Sequence, residues 1–270
     1  MTANLLGTSV EEVLDAVLDD GPAVLYVVNP SARILEHLVN AAVAVDRDLP
    51  AMRVLGEAAM LKSLMDDFLV ASTTADLVED DTLELRISDD TTQCSTCLTD
   101  GRVVAMVEAG DAVGGLSTTE TSFTETAFEA AEADWSAAED FSLRTPAISR
   151  VMDTLETDIG EEVRSDFRAM LDELDAARGD GRGLDEVTIS LLVAARNSVL
   201  LYDISKWGED VGIASKATFS RTKTRLEDVG LIETEKVPID VGRPRLRLRL
   251  AEDVAGASPD EVVRAAVEAL

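Results

Sequence analysis

Val211–Ile232, VGIASKATFSRTKTRLEDVGLI, decides how the C-terminal part of this chain folds. Gly212 suits the left-handed backbone with which a helix exits, and Ser215 suits the cap of the helix that follows. Phe219, Leu226 and Val229 then recur at the spacing of one buried helix face. Lys216, Thr218, Arg221, Lys223 and Arg225 fall on the other face, with no acid among them. This is the grammar of a helix-turn-helix, whose second helix lies in the DNA major groove.

Upstream, Leu184–Ala195 and Leu200–Val211 predict two further helices, with Leu191, Leu192, Ala195, Ile204, Trp207 and Val211 turned to a core and Ile213 plugging the corner. Gly230 ends the third helix. Downstream, Leu231–Val237 and Pro244–Leu250 predict a two-stranded wing that turns at Pro238–Gly242. In the return strand Leu246, Leu248 and Leu250 point one way and Arg245, Arg247 and Arg249 the other, because side chains alternate along a strand. The residues expected to meet DNA are Lys206, Ser215, Lys216, Thr218, Arg221, Lys223, Arg225, Arg243, Arg245 and Arg247. They suit phosphates and base edges, and arginine can pair bidentately with guanine.

Charge supports that assignment. The chain has 53 acidic against 24 basic residues, a formal net charge of -29, and only five of its cations are lysine. A carboxylate-rich, lysine-poor surface implies a halophile, a cell with molar internal salt, where self-repulsion is screened over a few ångströms. Residues 184–250 hold 11 basic and 10 acidic residues, which leaves 13 basic and 43 acidic elsewhere. Lys206, Lys216, Lys223 and Lys236 all lie there, with Lys62 the exception. The bland alternative is a winged helix used for protein contacts, its arginines merely forming surface ion pairs. A protein making about six phosphate contacts would lose on the order of five decades of affinity per tenfold rise in salt. Base-edge contacts, shape readout and dimeric avidity are therefore expected to carry more of the binding than usual.

The first part of the chain has a different pattern. Ala23–Val28, Met52–Leu55, Leu83–Ile87 and Arg102–Val107 are apolar runs of strand length, and Ile34, Leu35, Leu38, Val39, Ala42 and Val45 fall at helical spacing between the first two. Glu57–Leu69 repeats the helical pattern, and Thr118–Glu139 should end in an amphipathic helix. Strand and helix in alternation predict an α/β, Rossmann-like domain with a mostly parallel sheet and helices on both faces. Ligands of such sheets sit beyond the carboxyl ends of the strands. Asn29, Ser31 and Arg33 follow the first strand there and could hold a small anionic metabolite, such as a sugar phosphate, at a helix N-terminus. An ordinary strand-to-helix turn is the plainer reading, and no glycine-rich phosphate loop is present.

Thr145-Pro146 carries a helix-start signal, and Ile148 through Leu174 then recur at spacings of three and four, as one long helix or a pair kinked near Gly160. Arg178–Gly183 is the clearest linker. Ser258-Pro259-Asp260-Glu261 predicts a capping box for a last helix lined by Val263, Val267 and Leu270. The organisation expected is an α/β effector or assembly domain at 1–144, a helical connector or dimerisation region at 145–183, an α+β winged helix at 184–250 and a docking helix at 251–270.

Cys94 and Cys97 have the spacing of a redox pair or half a zinc site, but four ligands are needed and the sole histidine, His37, is far away in sequence. Two incidental thiols are expected, and no metal or cofactor. No nucleophile–base–acid set stands out, so the chain is not expected to be an enzyme. The N-terminus lacks a signal peptide, and no apolar run is long enough to span a bilayer, so a cytoplasmic protein is expected. An α/β enzyme, or a thiol sensor, carrying a DNA module is the alternative.

KWGEDVGIASKATFSRTKTRLEDVGLIE, VGRPRLRL and the upstream LETDIGEEVRSDFRAML also carry a resemblance. The C-terminal third resembles winged-helix regulators broadly, and the whole chain resembles the haloarchaeal TrmB-suppressor transcription regulators (TbsP). The resemblance implies a homodimer that binds double-stranded promoter DNA and regulates central carbon metabolism, including glycolytic or gluconeogenic genes.

Overall fold

The computed structural model describes residues 9–44, 49–88, 94–110, 112–176, 184–238 and 244–270. It divides into two compact units, Met1–Leu143 and Arg144–Leu270.

In the first unit α1 (Val10–Leu18) precedes β1 (Val24–Val28), α2 (Ala32–Ala44) and β2 (Ala51–Gly56). Two helices, α3 (Ala58–Leu64) and α4 (Phe68–Glu79), stand where one was expected, and lead to β3 (Leu83–Ile87). Asp67 separates them by capping α4, its carboxylate accepting from the N–H groups of Leu69 and Val70. A hairpin ladder follows, β4 (Ser95–Leu98), β5 (Val103–Ala109) and β6 (Ala112–Thr118), then α5 (Thr121–Ala137) and β7 (Glu139–Asp140).

The seven strands form one sheet in the order β6-β5-β4-β1-β2-β3-β7. β1, β2 and β3 run parallel, in register from Val24↔Ala51 and from Met52↔Leu83. The expected parallel core is therefore these three strands. The fourth expected strand, β5, enters differently: β4 pairs antiparallel with β1, β5 with β4 and β6 with β5, and at the far edge β7 is antiparallel to β3. The sheet is mixed because short turns can join antiparallel strands, while the parallel ones need helical crossovers.

Those crossovers place their helices on one face, as successive right-handed connections advancing in one direction must. Val13, Leu14 and Val17 of α1, Leu35 and Leu38 of α2 and Leu61 of α3 pack there against Leu25, Val27, Val54 and Val104. On the other face α5 sets Ala131 and Trp135 over Tyr26, Leu55, Leu98 and Val103. Tyr26 meets Phe128 and Trp135 edge-on, with centroids 5.2 and 6.2 Å apart. Arg53 donates to the Tyr26 hydroxyl at 2.7 Å.

In the second unit α6 (Ile148–Asp158) and α7 (Glu161–Ala176) are a helix pair broken at Gly160, whose φ is 149°. Neither Thr145 nor Pro146 starts the helix. Its first turn follows Ala147, which has no capping side chain. α8 (Glu186–Arg196), α9 (Leu201–Val211), α10 (Lys216–Asp228), β8 (Ile232–Val237) and β9 (Arg245–Leu250) come next, and α11 (Pro259–Ala269) closes the unit. The segment expected as a connector packs inside this unit. Phe167 of α7 meets Trp207 of α9 edge-on at 6.5 Å, and the Trp207 indole N–H donates to Thr154 of α6 at 3.1 Å. Ser258 and Glu261 do form the capping box of α11. Its buried residues are Val262, Val263 and Ala266, while Leu270 is exposed, so the inner face is turned from the one expected. The linker at Arg178–Gly183 lies outside the described residues.

Candidate nucleic-acid interface

α9 and α10 form the helix-turn-helix. Gly212 caps α9 in the left-handed region at φ 99°, and the Gly208 carbonyl accepts from the N–H groups of Gly212, Ile213 and Ala214. That gathers donors left over at the turn onto one acceptor. Ser215 caps α10, its Oγ accepting from the Thr218 N–H at 3.3 Å. Phe219 and Leu226 are completely buried. Val229, expected inside, is exposed because the helix ends at Asp228 and Gly230 (φ 73°) turns the chain away.

The wing is an antiparallel pair in register from Ile232↔Leu250 to Val237↔Arg245. Leu248 is buried and Arg245 and Arg249 are exposed, while Arg247 is half-buried. A short bridge between Leu200 and Arg247, with the Leu248 N–H donating to the Val199 carbonyl at 2.9 Å, ties the wing to the α8–α9 connection. This third strand-like segment was invisible in the sequence, because only two residues form it. Gly242 and Arg243 lie outside the described residues.

The exposed ridge of α10 consists of Ala217, Ser220, Arg221, Thr224 and Arg225. Arg221 donates to Thr218 Oγ1 at 3.4 Å and Arg225 to the Leu270 carbonyl at 3.3 Å. Among the described residues neither is paired with an aspartate or glutamate side chain. Ala217, Ser220 and Thr224 were not singled out from the sequence. Their three- and four-residue spacing with Arg221 was the available signal.

Four of the other expected cations are engaged within the chain. Lys206 pairs with Asp210 at 2.5 Å, Lys216 with Glu209, and Arg245 with Asp203 at 3.5 Å. Arg245 also lies over the Tyr202 ring, 4.7 Å from its centroid. Lys223 is turned inward, its side chain only 13% exposed, and pairs with Glu227 at 2.6 Å. Glu227 in turn accepts from Thr234 of β8 at 2.8 Å, so Lys223 and Glu227 join the helix to the wing. Arg249 pairs with Glu235 at 2.7 Å. Hydrogen bonding from Lys216 holds the Glu209 carboxyl below its ordinary range, Lys206 does the same to Asp210, and Arg249 to Glu235. Both lysines are raised in return.

In the first unit, Asn29 and Ser31 line a cleft of about 470 Å³ with Glu57, Met60, Cys94, Ser95 and Glu108. It opens beyond the ends of β1 and β2. Ser31 caps α2 through the Ile34 N–H and also donates to Glu108 at 3.0 Å, while Arg33 reaches the Gly110 carbonyl at 3.2 Å. The three expected effector residues are thus not brought to one point, and two carboxylates line the space intended for an anion. Cys97 is buried in the core and its thiol is pushed up to about 12 by burial. Cys94 donates to the Met106 carbonyl. Three residues of extended chain span about 10 Å, more than the Cα separation of a disulfide. No group of three or more potential metal ligands occurs among the described residues. No helix among them is long and apolar enough to cross a membrane.

Comparison with known proteins bears on both units. Residues 2–146 match the family model "Transcriptional regulator TbsP-like, N-terminal", and residues 147–267 match "Transcriptional regulator TbsP-like, C-terminal HTH domain". No curated protein gives a significant match. Among solved structures, TrmBL2, described as an archaeal chromatin protein with a novel mode of DNA binding, is 15% identical with a TM-score of 0.36. The similarity covers 51% of this chain and 54% of that one, so this chain spans about half the length of that relative.

Proposed function

The chain belongs to the TbsP-like transcriptional regulators, and from that premise we propose how and where it acts. It binds double-stranded promoter DNA as a homodimer in the cytoplasm of a halophilic archaeon. It regulates central carbon metabolism there. The ridge Ala217–Arg221–Thr224–Arg225 of α10 enters the major groove, with Ser220 beside it, and Arg245 and Arg247 of the wing lie toward the backbone. The observation that carries this reading is that ridge: a capped helix exposing two arginines and small hydroxyl side chains, with no acid before Glu227. Arginine reads guanine edges, and threonine and serine suit either phosphate or base.

The cations around the ridge act differently from those of an ordinary acid-poor module. Lys206, Lys216 and Arg245 already hold carboxylates, and when such a cation moves to a phosphate the counterion it displaces from DNA is offset by one drawn to the freed carboxylate. Binding then depends little on salt, which suits a cell interior at molar ionic strength. An anionic effector in the cleft at Asn29 and Ser31 is not carried forward, since Glu57 and Glu108 would repel it.

Genome-wide occupancy with and without a sugar carbon source tests the metabolic assignment. Sites clustered at glycolytic or gluconeogenic promoters support it, and an unchanged, scattered distribution overturns it. Binding of Arg221→Ala to a site so identified tests the groove assignment.

A further inference from the structure

We infer that β6 is the surface on which a second copy of this chain docks, by antiparallel pairing of β6 with its partner's β6 about Gly115. The inference deepens the homodimer reading above and rests on it. β6 is a sheet edge of seven residues, AVGGLST, with no charge and no proline. An exposed edge of that kind is an open template for another strand, and native chains usually blunt it with lysine, proline or a bulge. Here none of those devices is present, in a chain with 53 acidic residues.

The two faces of β6 differ. Val113, Gly115 and Ser117 are buried on the side of α1, and Val113 belongs to the main core. On the opposite side α5 packs over β1, β2, β4 and the start of β5, and leaves the outer hairpin open. Leu116 is 60% exposed and Val107 49%. Val107 of β5 stands opposite Gly114 of β6, which offers it no side chain. A bare groove therefore runs over Gly114, with Val107 as its wall.

Two-fold pairing centred on Gly115 sets Leu116 of one protomer opposite Gly114 of the other, on the same face. Leu116 then crosses the glycine toward Val107 of the partner subunit, and the partner's Leu116 does the reverse. One contact repeated by symmetry covers both exposed residues, as an isologous interface requires. Ser117 Oγ, buried and without a hydrogen-bond partner among the described residues, lies on this same edge strand. The edge strand carries no charge, so a second copy can pair with it despite the formal net charge of -29 on each chain. The pairing places Ala112, Val113, Gly114, Gly115, Leu116, Ser117 and Thr118 against one another, and no carboxylate meets a carboxylate in the paired strands.

The test is sedimentation of the full chain in molar KCl, with two variants. Wild type should be a dimer. Leu116→Glu, which replaces an exposed side chain and should leave the circular dichroism of the folded chain unchanged, should weaken dimerisation at least tenfold. Gly114→Cys/Leu116→Cys, in a Cys94→Ser background, should give a covalent dimer on mild oxidation, because these positions face each other across the two-fold. A dimer that survives Leu116→Glu and gives no covalent species overturns the edge assignment while the homodimer stands. A monomeric wild type overturns both.

Discussion

Gly208 of α9 lies against the ring of Phe219 of α10, so close that a Cβ on the glycine would overlap the ring. The crossing of the two helices is set by that missing side chain. Phe219 is completely buried in the space it leaves. Gly208→Ala should therefore destabilise the second unit by about 1–3 kcal/mol through overpacking, despite alanine's better helix propensity. Thermal unfolding measures it. A neutral or stabilising result would show that the ring moves aside freely.

Arg221→Ala should lower affinity for the cognate site by about 1–3 kcal/mol, the worth of a bidentate base contact, and leave unfolding unchanged. Lys223→Ala should behave the other way, since Lys223 is turned toward Glu227 and the wing. Its loss should reach DNA only through stability. Fluorescence anisotropy beside calorimetry separates the two. Wild-type affinity in the arginine variant removes the groove assignment.

Salt dependence should be shallow. Counted per protomer, two ridge arginines without an aspartate or glutamate partner give a slope of roughly −2 in log affinity against log salt, instead of the roughly −5 of six free contacts. Glu209→Gln/Asp210→Asn frees Lys216 and Lys206, and should steepen the slope by about 1–2 while raising affinity at low salt. A wild-type slope of −5 or beyond would discard the paired-cation account.

The pH dependence has a definite sign. Glu209, Asp210 and Glu235 have folded values below the ordinary carboxylate range. Their contribution is complete above the unfolded range of about 4 and is lost as pH falls through the lower folded values. Glu186 is opposite: burial raises it, so its ionisation costs stability at neutral pH. Glu186→Gln should stabilise slightly at pH 7, and the advantage should vanish below about pH 4. An equal effect at both pH values would contradict the burial cause.

What the sequence disclosed was local. Gly212, Ser215 and the Ser258–Glu261 box act within one turn of chain, so residue type and spacing were enough. The presence of β1, β2 and β3 followed from apolar runs of strand length. β4 and β6 escaped notice because STCL and AVGGLST hold only one and two of the bulky apolar residues that mark a buried strand. The Gly208–Phe219 crossing needs two helices in place before it exists. Lys216 looked free because Glu209 lies seven residues away, and only the turn brings them together. Lys223 looked outward for the same reason: the wing that draws it in is a tertiary neighbour.

The carboxylates that hold Lys206, Lys216 and Arg245 compete on equal terms with every phosphate of a chromosome, whatever its sequence. They do not compete for a base edge. Intramolecular pairing therefore subtracts from the protein's attraction to the millions of wrong sites and leaves its operator preference intact. A face that holds its own counter-charges shortens the time spent parked on irrelevant DNA, and gains in discrimination what it gives up in grip.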